Sequence, residues 1–197
     1  MNPDKINAGD EIRIINAMLA YTRRRTAESG DFFIAWGVIL LAALGVMWLL
    51  VLLEKYSYIW LDWILAMVVG AGYSYWKIKR LARRTRVKTY ADMAIGGTWS
   101  ALGIAFILVN FLGRPAGLYM DGWLSPYFMN LILAGCGVFI SGFLLKTNLL
   151  VWAGVVWWIG AVILAFWGSV INPIGLYMLL LVIAYLVPGF YLKHSWK

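Results

Sequence analysis

The amino-acid sequence predicts an all-α protein, an integral membrane bundle of six transmembrane helices with a cytoplasmic amphipathic N-terminal helix. Of its 197 residues, 63% are hydrophobic and only 13% are charged, and the mean hydropathy is +0.79. A soluble domain is about 45–50% apolar and about 25% charged, and one of this size could not bury so much apolar surface in its own core. The same composition excludes intrinsic disorder, which requires low hydrophobicity.

Six apolar segments form the predicted membrane domain, residues 32–197. A spanning helix needs about 20 mostly apolar residues, and each segment supplies a run of that order. The runs are continuously apolar, whereas the strands of a membrane β-barrel alternate, so helices are favoured. The segments are Phe32–Leu53, Tyr58–Lys77, Ala91–Leu112, Ser125–Leu145, Leu149–Trp167 and Pro173–Leu192.

Residues 1–31 are predicted to form a separate helix that lies on the inner membrane surface. Asn2 and Pro3 suit a helix cap and first turn, and the apolar side chains that follow collect on one side of the helix. Ser29-Gly30-Asp31 predicts the end of this helix and the cap of the first span. The alternative is that the same apolar face binds a protein partner.

The basic residues predict the orientation of the bundle. The net charge is +8, from 17 Lys plus Arg against 9 Asp plus Glu, and with six spans all the cations except Lys55 and Arg114 fall on one side. By the positive-inside rule that side is cytoplasmic, so both termini are expected there. Because topology accounts for most of the charge, nucleic acid is not an expected partner.

The basic loop between the second and third spans carries more cations than orientation requires, although topology alone also explains them, and Arg23–Arg25 lie beside this loop. We expect them to contact anionic lipid headgroups at the cytoplasmic face, or an acidic partner there. The residues concerned are Arg23, Arg24, Arg25, Lys79, Arg80, Arg83, Arg84 and Arg86.

Side chains able to carry chemistry are scarce. No acid, Lys, Arg or His lies near mid-depth in a predicted span, which argues against a proton relay or an ion-coupled pump. One cysteine, Cys136, and one histidine, His194, are too few for a zinc centre or a bis-His haem. We expect no catalytic residues, no metal site and no cofactor, and a protein that is not an enzyme.

The six segments pair into three hairpins that look related, which suggests an internal repeat. The first helix of each hairpin carries tryptophan beside small residues: Trp36, Trp99, and Trp157 with Trp158. The second helix ends in Gly, an aromatic residue and then Lys77, Lys146 or Lys193. Interface chemistry favours similar endings without a repeat.

The deeper tryptophans and one acid have two interpretations. Packing against lipid or a neighbouring helix is favoured for the tryptophans, and an interfacial position is favoured for the acid. The alternative is a common cavity for a hydrophobic ligand such as a quinone, a lipid or a pigment. The candidate cavity residues are Trp36, Trp99, Trp157, Trp158 and Asp62.

Small residues four apart predict where helices approach closely. The predicted stripes are Ala66/Gly70/Ser74, Gly97/Ala101/Ala105, Ala134/Val138/Gly142 with Gly137/Ser141, and Ala153/Ala161/Ala165. Asn110, Asn130 and Asn172 are expected to hydrogen-bond across helices. Pro188 is expected to kink the last span.

Two stretches at the ends of the membrane domain carry a resemblance. They read Ser29-Gly30-Asp31-Phe32-Phe33-Ile34-Ala35-Trp36-Gly37 and Val187-Pro188-Gly189-Phe190-Tyr191-Leu192-Lys193-His194. With the intervening hairpins they resemble small, uncharacterised six-span inner-membrane proteins of Bacteroidota-like bacteria. The resemblance covers nearly the whole chain, implies this fold in a bacterial inner membrane, and brings no catalytic residues.

Taken together, these features favour a non-enzymatic membrane protein that acts through partners, as an accessory or scaffold subunit or as a homo-oligomer. The alternative is a transporter, channel or carrier of a hydrophobic ligand. An enzyme acting at the inner face would depend on His194 alone.

Overall fold

A computed structural model describes residues 8–83, 90–112, 126–168 and 170–194, and these residues contain helices and turns but no strand. The prediction of an all-α fold is confirmed for this part of the chain. The α-helices are α1 (Ala8–Leu52), α2 (Ile59–Ala82), α3 (Tyr90–Ile107), α4 (Pro126–Leu144), α5 (Asn148–Trp167), α6 (Pro173–Leu181) and α7 (Val187–His194). A 3-10 turn (Tyr56–Tyr58) precedes α2, and π-helical turns follow α3 (Leu108–Leu112) and join α6 to α7 (Val182–Leu186).

Five helical segments are long and apolar enough to cross a membrane, as expected for a multi-pass membrane protein. They are Ser29–Leu52, Asp92–Leu112, Pro126–Leu144, Asn148–Trp167 and Pro173–His194. Each coincides with a predicted segment. The remaining predicted segment, Tyr58–Lys77, corresponds to α2 except for Tyr58, which ends the preceding 3-10 turn. This helix has 24 residues but carries Asp62 and several Trp and Tyr residues among its apolar ones.

The break predicted at Ser29-Gly30-Asp31 is absent, because α1 runs without interruption from Ala8 to Leu52. Gly30 packs against α7, where a Cβ atom would lie 2.7 Å from the Gly189 carbonyl oxygen and 3.0 Å from the Lys193 amide nitrogen. Glycine at this position therefore permits two helices to touch and does not end a helix. The side chains of Arg23–Arg25, and residues Arg84 and Arg86 altogether, lie outside what the structure describes.

The first and last helices meet, and the middle of the chain forms a tight hairpin. α1 packs against α2, α6 and α7, α4 packs along α5, and α3 packs mainly against α4. A Cβ on Gly154 would lie 2.8 Å from the Phe139 backbone, and one on Gly142 would lie 2.6 Å from the Val151 nitrogen, so α4 and α5 approach backbone to backbone. The largest fully buried hydrophobic side chains include Leu44, Leu131, Val138, Leu150, Trp157, Leu181 and Leu192.

The last span begins and bends for local reasons. The Asn172 side chain accepts hydrogen bonds from the Ile174 and Gly175 amides, and Pro173 occupies the first turn, so α6 starts there. The Asn172 side chain therefore caps its own helix, and the prediction that it bonds to another helix is wrong. Pro188 lacks an amide hydrogen, and the π-helical turn Val182–Leu186 directly precedes it, which interrupts the α-helix where a kink was predicted.

The turn between α4 and α5 is closed by two hydrogen bonds around a strained residue. Lys146 has a φ of 52°, in the left-handed region. Its amide donates to the Phe143 carbonyl at 3.2 Å, and the Thr147 amide donates to the Gly142 carbonyl at 2.9 Å. This is the helix-ending pattern that normally places glycine at the left-handed position.

We expect Lys146→Gly to stabilise the protein. Left-handed backbone costs a residue with a Cβ about 1–2 kcal/mol, and part of that gain is offset by the entropy of glycine in the unfolded chain. The melting temperature in mild detergent, measured by circular dichroism, is expected to rise by a few degrees. Lys146→Ala removes the same charge but keeps the strain, so equal melting temperatures for the two variants would contradict the explanation.

Candidate functional site

A double ion pair joins three helices at the end of the bundle predicted to be cytoplasmic. The two carboxylate oxygens of Asp31 on α1 accept separately from Lys77 on α2, at 2.8 Å, and from Lys193 on α7, at 3.1 Å. The Lys77 side chain is 9% exposed, whereas that of Lys193 is 41% exposed. We call these three residues the Asp31 junction. One carboxylate thus pairs with both a buried cation and a cation open to solvent.

The buried member of the junction is surrounded by aromatic rings. The Lys77 Nζ atom lies 4.8 Å from the centre of the Phe32 ring and 5.8 Å from that of the Tyr73 ring. It also donates a long hydrogen bond, 3.4 Å, to the Tyr73 hydroxyl. Ring faces attract a cation whose water has been removed, so the Phe32 and Tyr73 rings add to the attraction of Asp31 for Lys77 in a largely apolar surrounding.

The junction depends on a close crossing of α1 and α7. A Cβ on Gly189 would lie 3.0–3.2 Å from Ile34 and Phe33, while Gly30 faces the α7 backbone in the reciprocal way. Asp31 follows Gly30 directly, so the approach that needs two glycines also brings the carboxylate within reach of Lys193. Larger residues at either glycine would separate the two partners.

The prediction that Asp31 helps to cap the first span is wrong. The helix continues through Asp31, so its carboxylate has no free helix end to cap. The relevant signal was the lysine that ends two of the hairpins, Lys77 and Lys193, since both reach the same acid. Lys146, which ends the other hairpin, lies instead in the α4–α5 turn.

The first two hairpins share one contact in which a tryptophan lies over a glycine. The Trp36 ring packs where a Cβ of Gly70 would be, and its indole nitrogen donates to Ser74 at 3.0 Å. The Trp99 ring lies 2.9 Å from the Cβ position of Gly137, and its indole nitrogen donates to Ser141 at 3.1 Å.

In both hairpins the serine follows the glycine by one helical turn, which places the two on one face. This shared geometry agrees with the predicted relation between these hairpins. The third hairpin is different: Trp158 packs on Gly135 and donates to the Ile132 carbonyl at 3.3 Å, which links α5 back to α4. Trp157 is 1% exposed, and its indole nitrogen is buried without a hydrogen-bond partner.

Two of the candidate cavity residues meet at a tyrosine in the π-helical turn of the last span. The Tyr185 ring centre lies 6.3 Å from that of Trp99 and 6.4 Å from that of Trp157, both edge-on. Phe33 adds a third ring at 4.9 Å. The contacts of Trp36 and Trp158 lie in other helix pairs, and a cavity common to all four remains a prediction.

Asp62 lies on α2 and His194 lies at the end of α7, and neither belongs to the aromatic cluster around Tyr185. Asp62 is half-buried in the first turn of α2, and one of its carboxylate oxygens is buried without a hydrogen-bond partner. The His194 Nδ1 atom lies 3.2 Å from the Phe190 carbonyl oxygen, within its own helix. Among residues 8–83, 90–112, 126–168 and 170–194, no group of three His, Cys, Asp or Glu side chains could hold a metal ion.

The predicted small-residue stripes are used within the chain on α2, α4 and, in part, α5. Ala66 is buried and Gly70 and Ser74 receive Trp36, which confirms the stripe on α2. On α4 the whole stripe is buried, and on α5 Ala153 and Ala161 are buried while Ala165 is exposed.

The stripe on α3 is open. No residue is buried in the described part of α3 and its π-helical turn, and nothing lies within 4 Å of a Cβ built on Gly97. Trp99 and Leu102 lie against Gly137 of α4, and Phe106 packs against the core, on the opposite side. The exposed side has the alternating three- and four-residue spacing of a helix contact. Its residues are Met93, Gly97, Ser100, Ile104, Ile107 and Phe111, which we call the open face of α3.

A pair of asparagines joins α3 to α4 at the far end. Asn110 and Asn130 each donate to the side-chain oxygen of the other at 3.0 Å, and Asn110 also donates to the Phe106 carbonyl at 2.8 Å. The expected bond between helices is confirmed for these two residues. Asn110 lies in the π-helical turn Leu108–Leu112, so this pair holds the irregular end of α3 on α4.

No protein-family model, curated protein or solved structure matches this chain. The fold and composition are compatible with a helical multi-pass membrane protein, because five helices are long and apolar enough to cross a membrane. The Asp31 junction and the open face of α3 are the two features of this fold that packing alone does not explain.

We expect Asp31→Asn to destabilise the protein more than Lys193→Gln does. The first change leaves the buried Lys77 cation without its counter-ion, at a cost of about 2 kcal/mol. The second leaves the Asp31–Lys77 pair intact and removes a half-exposed partner worth below about 1 kcal/mol. Thermal unfolding in mild detergent measures both, and a Lys193→Gln loss as large as that of Asp31→Asn would contradict the asymmetry.

We expect Ser141→Ala to lower stability by about 0.6–1.7 kcal/mol, the range for hydrogen bonds between membrane helices. Ser141 is buried, accepts from Trp99 and donates to the Gly137 carbonyl at 2.7 Å. Ser57→Ala, at an exposed position outside α3 and α4, is the control and is expected to leave the melting temperature unchanged. If both variants melt alike, the tryptophan–serine contact does not stabilise the hairpin.

Proposed function

We propose that this chain is a non-enzymatic scaffold or accessory subunit of a bacterial inner membrane that associates with itself through the open face of α3. In this proposal α2 is the sixth span, both termini are cytoplasmic, and the N-terminal part of α1 lies at the inner membrane surface. The strongly one-sided distribution of Lys and Arg supports this orientation. The length of α2, 24 residues, supports a sixth crossing.

The observation that carries the proposal is the contrast among the small-residue stripes. Those of α2 and α4 are filled by side chains of this chain, and that of α3 is not. In a bilayer, hydrophobicity does not draw helices together, and association depends on close backbone approach at small residues. Gly97 and Ser100 provide such an approach within the open face, with the exposed Ala101 beside them and larger apolar side chains on either side.

Self-association is favoured because one helix face can pair with its own copy. A two-fold axis brings the same patch on each protomer into contact, which is the commonest arrangement in homo-oligomers. A glycine-centred helix face suits this symmetry, since each backbone fills the space left by the glycine on the other.

A second candidate function is a carrier of a hydrophobic ligand. The Trp157 indole nitrogen is a buried donor without a partner, and Tyr177 and Tyr185 flank the ring at 5.3 Å and 6.4 Å. A ligand with a carbonyl oxygen, such as a quinone, could accept this hydrogen bond. Binding that persists unchanged in Trp157→Phe would count against this function.

The test of self-association compares Gly97→Leu with Gly72→Leu. Both glycines are exposed helical positions with nothing within 4 Å of a built Cβ, so neither change should disturb the fold of one chain. Only Gly97 lies on the open face of α3. Single-molecule photobleaching in liposomes is expected to show dimers for the wild type and Gly72→Leu, and mainly monomers for Gly97→Leu.

A wild type that is monomeric at all protein-to-lipid ratios would overturn the proposal. So would equal dimer fractions in the two glycine variants, because the contact would then lie elsewhere on the surface.

A further inference from the structure

Two exposed cations, Lys79 and Arg80, lie over aromatic rings at the end of α2 that carries Lys77. The Lys79 Nζ atom lies 5.8 Å from the centre of the Tyr75 ring, and the Arg80 Cζ atom lies 5.3 Å from that of the Trp76 ring. Each pair is four residues apart, which places its members on one helix face. The rings are 68% and 55% exposed. We call these four residues the α2 basic–aromatic cluster.

Lys77 lies in the same helical turn and differs from Lys79 and Arg80 in its partners. Lys77 also lies over rings, but it has a carboxylate partner in Asp31. For Lys79 and Arg80 the described part of the chain supplies ring faces and no acid, and the only acid of α2, Asp62, stands at its opposite end. The inward cation therefore has a carboxylate partner, whereas the two outward cations have only aromatic rings as partners within residues 8–83, 90–112, 126–168 and 170–194.

We propose that Lys79 and Arg80 together bind the phosphate of an anionic phospholipid, while Tyr75 and Trp76 lie at the boundary between its headgroup and its acyl chains. The guanidinium group of Arg80 matches two phosphate oxygens, and the Lys79 ammonium adds a point charge beside them. Two exposed rings directly below the cations fit a lipid, since tyrosine and tryptophan favour the headgroup level of a bilayer. A soluble phosphate would leave those rings uncovered.

This inference rests on the membrane location in the proposed function, with the inner end of α2 at the cytoplasmic leaflet, but it does not need self-association. Polybasic segments in general attract anionic lipid through charge alone. The α2 basic–aromatic cluster differs from such a segment, because it places two cations over aromatic rings. It therefore predicts that both the charge and the ring contribute to lipid binding.

The experiment is native mass spectrometry of the full chain released from nanodiscs that contain equal amounts of phosphatidylglycerol and phosphatidylcholine. The wild type is expected to retain phosphatidylglycerol with about fivefold enrichment for each cation engaged. Arg80→Gln is expected to lose about fivefold. Trp76→Leu keeps every charge and is expected to lose at least about twofold, because the cation is no longer held over a ring.

Lys55→Gln is the matched control, since Lys55 is an exposed cation beside exposed tyrosines at the other end of α2. It is expected to leave the enrichment unchanged. Equal losses in Arg80→Gln and Lys55→Gln would overturn the proposal in favour of net charge. An unchanged ratio in Trp76→Leu would overturn the role of the rings. Displacement of phosphatidylglycerol by millimolar inorganic phosphate at constant ionic strength would overturn the assignment to a lipid.

The same spectra report the oligomeric state, so the two proposals fail separately. Dimers without lipid enrichment would overturn this inference and leave self-association standing. Monomers with enrichment that depends on Arg80 and Trp76 would do the opposite.

Discussion

Two glycines, Gly30 and Gly189, allow the first and last helices to touch, and much of the bundle depends on that contact. The crossing places Asp31 within reach of Lys193, and the same carboxylate reaches Lys77 on α2. It also brings Phe33 of α1 to within 4.9 Å of Tyr185, whose ring is flanked by two tryptophans. Since membrane helices gain little from hydrophobicity alone, this close packing and the ion pairs beside it hold α1, α2 and α7 together.

Glycine beneath tryptophan is the second recurring contact of the structure. Trp36 over Gly70 and Trp99 over Gly137 each place a large ring against a neighbouring backbone, and each indole then reaches a serine one turn along. The ring fills the space between helices while its polar atom is satisfied, so a bulky residue is accommodated without a buried orphan donor. Trp157 lacks this arrangement, and its unpaired indole nitrogen supports the second candidate function, a carrier of a hydrophobic ligand.

α3 packs mainly against one other helix, α4. One side packs on α4 and is fastened at its end by Asn110 and Asn130, and the other side has no partner within the described chain. A glycine that faces open space gains nothing from a single chain and costs helix stability. The same holds for Gly72 on α2, but the residues one turn further along there are Tyr75 and Trp76, whereas Gly97 is followed by the exposed small residues Ser100 and Ala101. The proposed self-association rests on this run of small residues, which allows close backbone approach.

The sequence by itself determined the all-α class and the position of five apolar helices, because hydropathy and helix period are properties of short segments. It also located the small-residue stripes and the tryptophans that prove to pack on them. Only the tertiary structure decided that α1 continues through Asp31, and that Lys77 and Lys193 share its carboxylate. Locally, Gly30 and Asp31 favour the end of a helix. The close crossing with α7 overrides this preference. Because the crossing joins residues at opposite ends of the chain, a local pattern does not reveal it.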